Sequence, residues 1–191
     1  MRSVDANLLS LDERERAARL GTKLGERVER EDELWGLVKA AADPAYVARR
    51  VKLSEVEGGI HVDGVLFRSE GLRRALSGCH EGYILVSTLG YSIDRYLIQS
   101  AHEPYRLFVS DALADCLVES LSDYAMEELR GKELFTNRFS PGYADLPLEY
   151  GRVLVRMSGA DKELGIRFTE SGLMTPKKSV NAIFGIKDRE V

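Results

Sequence analysis

The chain has 191 residues, 44% of them hydrophobic and 30% charged, with a formal net charge of −4. That length supplies one sizeable core and favours a single domain, while the acidic balance leaves no basic footprint for nucleic acid. No segment approaches the roughly 18 consecutive apolar residues of a membrane span, and Met1 to Asn7 lack the apolar stretch of a signal peptide, so a cytoplasmic protein is expected. Cys79 and Cys116 stand apart without a Cys-x-x-Cys, and His61, His80 and His102 are scattered, so no zinc spacing emerges and idle or buried thiols are expected.

Residues 12–42 are rich in Glu, Arg, Ala and Leu. Ser10 is placed to cap a helix that carries Asp12 and Glu13 in its first turn, and Asp43-Pro44 to stop it. Gly21 and Gly25 each weaken the middle by about 1 kcal/mol relative to alanine, so the stretch reads equally as one helix or two. Leu20, Leu24, Val28, Leu34, Trp35 and Val38 fall roughly at helical spacing and are expected to form a packing stripe.

From Tyr46 to Phe67 the pattern turns to short β-like runs, Tyr46-Val47 through Val51 to Leu53 and then Gly59 to Phe67. Asp63-Gly64 between apolar neighbours signals a hairpin, in which His61 is expected to be a solvated side chain. Ser69 can cap a short helix to Leu76, with Arg73 and Arg74 on a solvated face. Tyr83 to Gly90 is a continuous apolar run bounded by glycines, which predicts a strand buried on both faces, followed by a helix from about Ser92 to Ser100.

Glu103 to Arg130 carries the longest helical pattern, with Pro104 tolerated in the first turn and an apolar face wider than a coiled-coil seam. Glu119 lies close to that face, either as a boundary carboxylate paired with a cation or as a buried one aimed at an ammonium. The next ten residues of note, Arg138 to Pro147, cannot be a helix. Pro141 fixes φ and lacks an N–H while Gly142 can take φ > 0, so Pro-Gly predicts the centre of a type II turn. Such a turn is either an ordinary surface loop or a place where bare backbone, an arginine fork and a tyrosine face meet. Beyond it, Glu149 to Met157 predicts a short helix, Leu164 to Phe168 a strand and Ser179 to Ile186 another, with Lys187 to Val191 expected to fray. Strands and helices alternate without a regular β-α-β rhythm, which argues for an α+β fold with a largely antiparallel sheet.

Three separated motifs resemble those of the S-adenosylmethionine-binding activation domain of cobalamin-dependent methionine synthase, in a short stand-alone form. The first is Arg138, Gly142, Tyr143 and Pro147; the second is Thr169, Glu170, Ser171, Met174, Pro176, Ser179 and Val180; the third is the helical Leu113-Ala114-Asp115-Cys116-Leu117-Val118-Glu119. The resemblance implies a twisted, largely antiparallel sheet flanked by helices. It also implies an organisation in which residues 1–58, an N-terminal helical segment and first strand, pack on an S-adenosylmethionine-binding activation domain of residues 59–191, the whole forming one globular unit.

S-adenosylmethionine carries a carboxylate, an ammonium, a sulfonium and an adenine, and its site needs a complement to each. The resemblance implies that Arg138 provides a planar fork for the carboxylate, which a lysine cannot reproduce, and that Glu119 meets the ammonium. Backbone near Ser140, Gly142 and Ala144 would hold the adenine or ribose, and the Tyr143 ring could stack on a cation or cover a corrin face. Phe184 stands where the long form of the family has a tyrosine, keeping the ring and losing the hydroxyl. A further acidic ligand that the long form has near the start of the domain finds no counterpart here.

The function implied is reductive methylation, that is reactivation, of cob(II)alamin in methionine biosynthesis. Cobalamin would sit on a partner methionine synthase subunit, and flavodoxin or ferredoxin would give an electron to the complex. Neither a nucleophile–base pair, a catalytic residue, a metal site nor an Asp-x-His-x-x-Gly for cobalt is recognisable, so the chain reads as an accessory subunit of a methyltransferase acting in trans. The alternative is a module that senses S-adenosylmethionine or reactivates another corrinoid methyltransferase.

Overall fold

In the computed structural model, which describes residues 1–187, the apolar run around Leu85 becomes strand β5 (Glu81–Thr88), paired antiparallel on both edges. Its neighbours are β2 (Ala45–Val56), with Val47 opposite Val86, and β9 (Ser179–Lys187), with Ala182 opposite Leu85. Strands β3 (Gly59–Val62) and β4 (Val65–Phe67) extend the sheet beyond β2, while β6 (Leu134–Phe135) lines the outer edge of β9. A two-residue β1 (Arg2–Ser3) also pairs with β2, completing a seven-stranded sheet.

Strand alternation sends successive β5 side chains to opposite faces. Leu85 joins Tyr46 and Phe184 in one core, under α1 (Glu13–Leu20), α2 (Glu31–Ala41), α4 (Gly90–Gln99) and α5 (Pro104–Arg130). Ile84 and Val86 join Val47 and Ile183 in the other, under α3 (Glu70–Ala75), α6 (Tyr150–Ser158) and α7 (Ala160–Glu163). Both faces of the central strands are thus covered, as its unbroken apolar run requires. On α5, Leu113, Leu117 and Leu121 are fully buried, each worth about 1.5–3 kcal/mol of transfer free energy.

The Asp63-Gly64 hairpin forms as its sequence predicts, with φ of 45° and 81° that suit a type I′ turn between β3 and β4; His61 there is half-buried rather than solvated. Ser69 caps α3 by accepting from Leu72 N at 2.9 Å.

Several expectations shift. The helical stretch divides in two, and its cap is Asp12, not Ser10: Asp12 Oδ1 accepts from Glu15 N at 2.8 Å. Gly21 ends α1 in the left-handed region at φ 67°, and Leu24, beyond that stop, is exposed because no helix carries it to the core. The predicted strand at 164–168 shrinks to β7 (Arg167–Phe168), which pairs with β8 (Met174–Thr175) in a small separate sheet, because α7 takes residues 160–163 and Leu164 is its C-cap. Lys187 is the last residue of β9; the rest of the tail expected to fray lies outside the described residues. No helix among the described residues is long and apolar enough to cross a membrane.

Candidate functional site

Glu119, Asp123 and Glu127 recur every fourth position on α5, so their carboxylates stand one above the next along one helix face. Opposite that face runs the segment from β6 to Tyr143, and the two enclose a cavity of about 510 Å³. The segment is held by β9. Thr136 N donates to Gly185 O at 2.9 Å and Thr136 Oγ1 accepts from Gly185 N at 2.9 Å. Phe139 and Ile183 exchange both backbone hydrogen bonds, at 2.8 and 2.9 Å. Arg138 lies between these anchors and reaches toward α5.

Past Phe139 the chain makes two turns back to back. Tyr143 N donates to Ser140 O at 3.1 Å with Gly142 at φ 94°, the type II turn that Pro141-Gly142 predicts. Leu146 N then donates to Tyr143 O at 3.0 Å with Ala144 at φ 48°, and Gly142 N donates to Leu146 O at 2.7 Å. The loop is therefore a closed backbone unit, pinned below by the fully buried Leu146.

Three carboxylates, Glu119, Asp123 and Glu127, and two guanidinium groups, Arg130 and Arg138, line the cavity. Arg138 Nη2 donates to Asp123 Oδ1 at 2.8 Å and stands 3.0 Å from Glu119 Oε2. Arg138 Nη1, in contrast, is buried with no partner. A buried donor without an acceptor carries a desolvation cost that a bound acceptor would remove. Burial raises the pKa of the Glu119 carboxyl, with the neighbouring Arg138 pulling the other way. An unfilled cationic donor beside carboxylates is complementary to a small zwitterion bearing one carboxylate and one ammonium.

Of the residues singled out from the sequence, Glu119, Arg138, Ser140 and Tyr143 line this one cavity. Gly142 and Ala144 sit on the exposed outer side of the loop and do not line it. Phe184 is fully buried, stacked on Tyr83 at 5.7 Å and packed 4.9 Å from Phe135, so it reaches the cavity only through Phe135. Asp123 was not anticipated; its signal was the four-residue offset from Glu119. Cys116, inside the helix motif, is buried and its thiol is pushed up to about 12 by desolvation, which makes it inert at neutral pH.

A wider groove of about 880 Å³ on α4 and α5 exposes Ile98 and Phe108, and its carboxylates are engaged by protein except for Asp94 Oδ1, which is buried without a partner. Asp94 accepts from Lys177 N at 2.9 Å, and Asp111 and Asp115 pair with the buried Lys178 at 2.9 and 2.7 Å. No group of His, Cys, Asp or Glu among the described residues could hold a metal ion.

The sequence pattern of the family described as vitamin B12 dependent methionine synthase, activation domain, matches residues 79–189, more than half of the chain. A crystal structure of the MetH reactivation domain bound to AdoHcy superposes with a TM-score of 0.72 at 17% identity, covering 100% of this chain and 79% of that one. At that identity the likeness concerns the fold, a mixed helical and antiparallel architecture. A search of the curated proteins gave no match.

Proposed function

Because this chain belongs to the family of the vitamin B12 dependent methionine synthase activation domain, we propose that it binds S-adenosylmethionine in the Glu119–Arg138 cavity and supports reactivation of a cobalamin held by a separate methionine synthase subunit. The observation that carries this reading is the buried, unpartnered Arg138 Nη1 beside Glu119 and Asp123. The solved fold it resembles is bound to AdoHcy, whose amino-acid end and adenosine are those of the methyl donor.

In this reading the Arg138 guanidinium turns its buried Nη1 into the cavity to take the ligand carboxylate, and Glu119 takes the ammonium in exchange for its present contact with Arg138. The double turn receives the adenine and ribose at Ser140 and Tyr143, which line the cavity, while Gly142 and Ala144, in the left-handed region, set the shape of its backbone. Tyr143, 61% exposed, is free to cover the ligand or a docked corrin ring. Phe184 supports the site from behind, through Phe135. Residues 1–58 serve as an N-terminal helical segment and first strand packed on a ligand-binding unit of residues 59–191, the assembly being one globular body.

When bound, S-adenosylmethionine supplies the methyl group, and a flavodoxin or ferredoxin supplies one electron to the complex. The chain's own part is to hold the donor in a fixed orientation over the partner, which turns a collision into an oriented transfer. Calorimetry with S-adenosylmethionine against 5′-methylthioadenosine tests the site directly. Tighter binding of the former is expected; equal affinity would remove the contacts to the amino-acid end.

A further inference from the structure

The double turn is fastened at its far end by a single carboxylate. Asp145 Oδ1 accepts from Ser69 Oγ at 2.5 Å and from Gly71 N at 3.0 Å, and Asp145 Oδ2 accepts from Glu70 N at 2.7 Å. The first amides of a helix have no partner within it. In α3 the amides of Glu70 and Gly71 are satisfied by Asp145, and that of Leu72 by Ser69 Oγ. These bonds hold the Asp145 carboxyl below its ordinary pKa, so it is ionised wherever the protein is folded near neutrality.

The approach is close as well as polar. A Cβ on Gly71 would lie 2.8 Å from Asp145 Oδ1, 3.0 Å from Ala144 Cβ and 3.3 Å from Phe139 Cζ, so only a glycine lets α3 meet the loop at this distance. Between the β9 anchor at Phe139 and this latch at Asp145 lie Ser140 to Ala144, including the strained Ala144 at φ 48°. Two fixed ends therefore define the position of the backbone between them.

We infer that Asp145, received by Gly71 and Ser69, is a positioning residue that holds the Ser140–Ala144 loop in the shape that receives the adenosine end of the ligand. The inference rests on the ligand reading above, and it assigns α3, on the opposite face of the sheet from α5, a part in binding. Asp145 touches no ligand group; it acts through the backbone of the loop.

The test measures affinity of the full chain for S-adenosylmethionine and for 5′-methylthioadenosine, together with thermal midpoints. Asp145→Ala is expected to weaken both ligands by the same factor, about tenfold or more, as loss of a carboxylate anchor with several hydrogen bonds implies. Asp145→Asn, which keeps one acceptor oxygen, should fall between. Gly71→Ala attacks the latch from the other side without changing any charge and with a residue that suits a helix better. It is expected to weaken both ligands and to lower the thermal midpoint, whereas Val38→Ala, which lowers the midpoint from the buried core under α2, should leave both affinities unchanged, a divergence that a purely structural role would not produce. Combined with Asp145→Ala it should add little, since both break one contact. Wild-type affinity in Asp145→Ala and Gly71→Ala would overturn the latch while leaving the ligand reading intact. A wild-type chain that binds neither ligand would overturn the ligand reading itself, and the latch with it.

Discussion

Arg138 is the residue on which the site turns, and its chemistry separates shape from charge. With Nη2 committed to Asp123 and Glu119 and Nη1 unfilled, the planar fork serves two sides at once. A lysine ammonium has no second nitrogen to offer. Arg138→Lys is therefore expected to weaken S-adenosylmethionine nearly as much as Arg138→Ala, each by about 2–4 kcal/mol, by calorimetry. A lysine variant with unchanged affinity would place Arg138 outside the ligand contacts. Glu119 behaves differently, because burial raises its pKa. A carboxyl whose folded pKa lies above its unfolded one favours folding most while protonated, below the unfolded pKa, and that contribution is lost as pH rises through the folded value. Glu119 therefore contributes less to the unliganded fold at neutral pH than in acid. Glu119→Gln should hold or raise the thermal midpoint there and, in the same protein, weaken the ligand; a clear fall of the midpoint would contradict this. Arg138 and Glu119 were legible because each sits in a dense motif. Asp123 offered only its four-residue offset from Glu119 as a signal, and its pairing with Arg138, fifteen positions on, comes from the folded backbone. Phe184 was legible as a ring but not as a core ring, because alternation along β9 decides which face it takes.

At the scale of elements, length decided what could be read. The 27 residues of α5 and the eight of β5 repeat their periods often enough to be recognised from pattern alone. Strands β1, β6, β7 and β8 have two residues each, too few to show a period; β1 and β6 form because the longer β2 and β9 offer them free hydrogen bonds, and β7 and β8 pair with each other. The division between α1 and α2 was left open by two glycines, and what fixes their packing was hidden. Arg16 is fully buried on α1, donating to Glu31 at 3.0 Å and to Glu13 at 3.0 Å, although arginine ordinarily marks a solvated face. Glu31→Ala leaves that guanidinium short of its buried partner and should cost about 3–5 kcal/mol in denaturant unfolding. Leu117→Ala on α5 should cost about 2–5 kcal/mol, through a cavity where α5 meets the sheet. If either variant unfolds at the wild-type denaturant midpoint, the packing of that helix is not as described.

For the whole molecule, the antiparallel α+β class followed from the mixture of short strands and uncoupled helices, whereas the strand order β4-β3-β2-β5-β9-β6 could not be deduced from the sequence, since pairing between segments far apart in the chain leaves no local signature. That order matters for function. It puts β9 beside β6 at the sheet edge, so that the segment carrying Arg138 faces α5 and Tyr143 stands exposed at the mouth of the cavity. If the donor is held there as proposed, it faces outward, where the cavity opens beside the exposed Tyr143. The most direct measurement follows the visible spectrum of cob(II)alamin on a cobalamin-binding methionine synthase chain, with a one-electron reductant and S-adenosylmethionine, adding or omitting this protein. Rapid conversion to methylcobalamin only when this protein is present, and little conversion of free cobalamin, is the expected result. Equal rates without it, or equal rates on free and bound cobalamin, would contradict reactivation by a docked donor-binding domain.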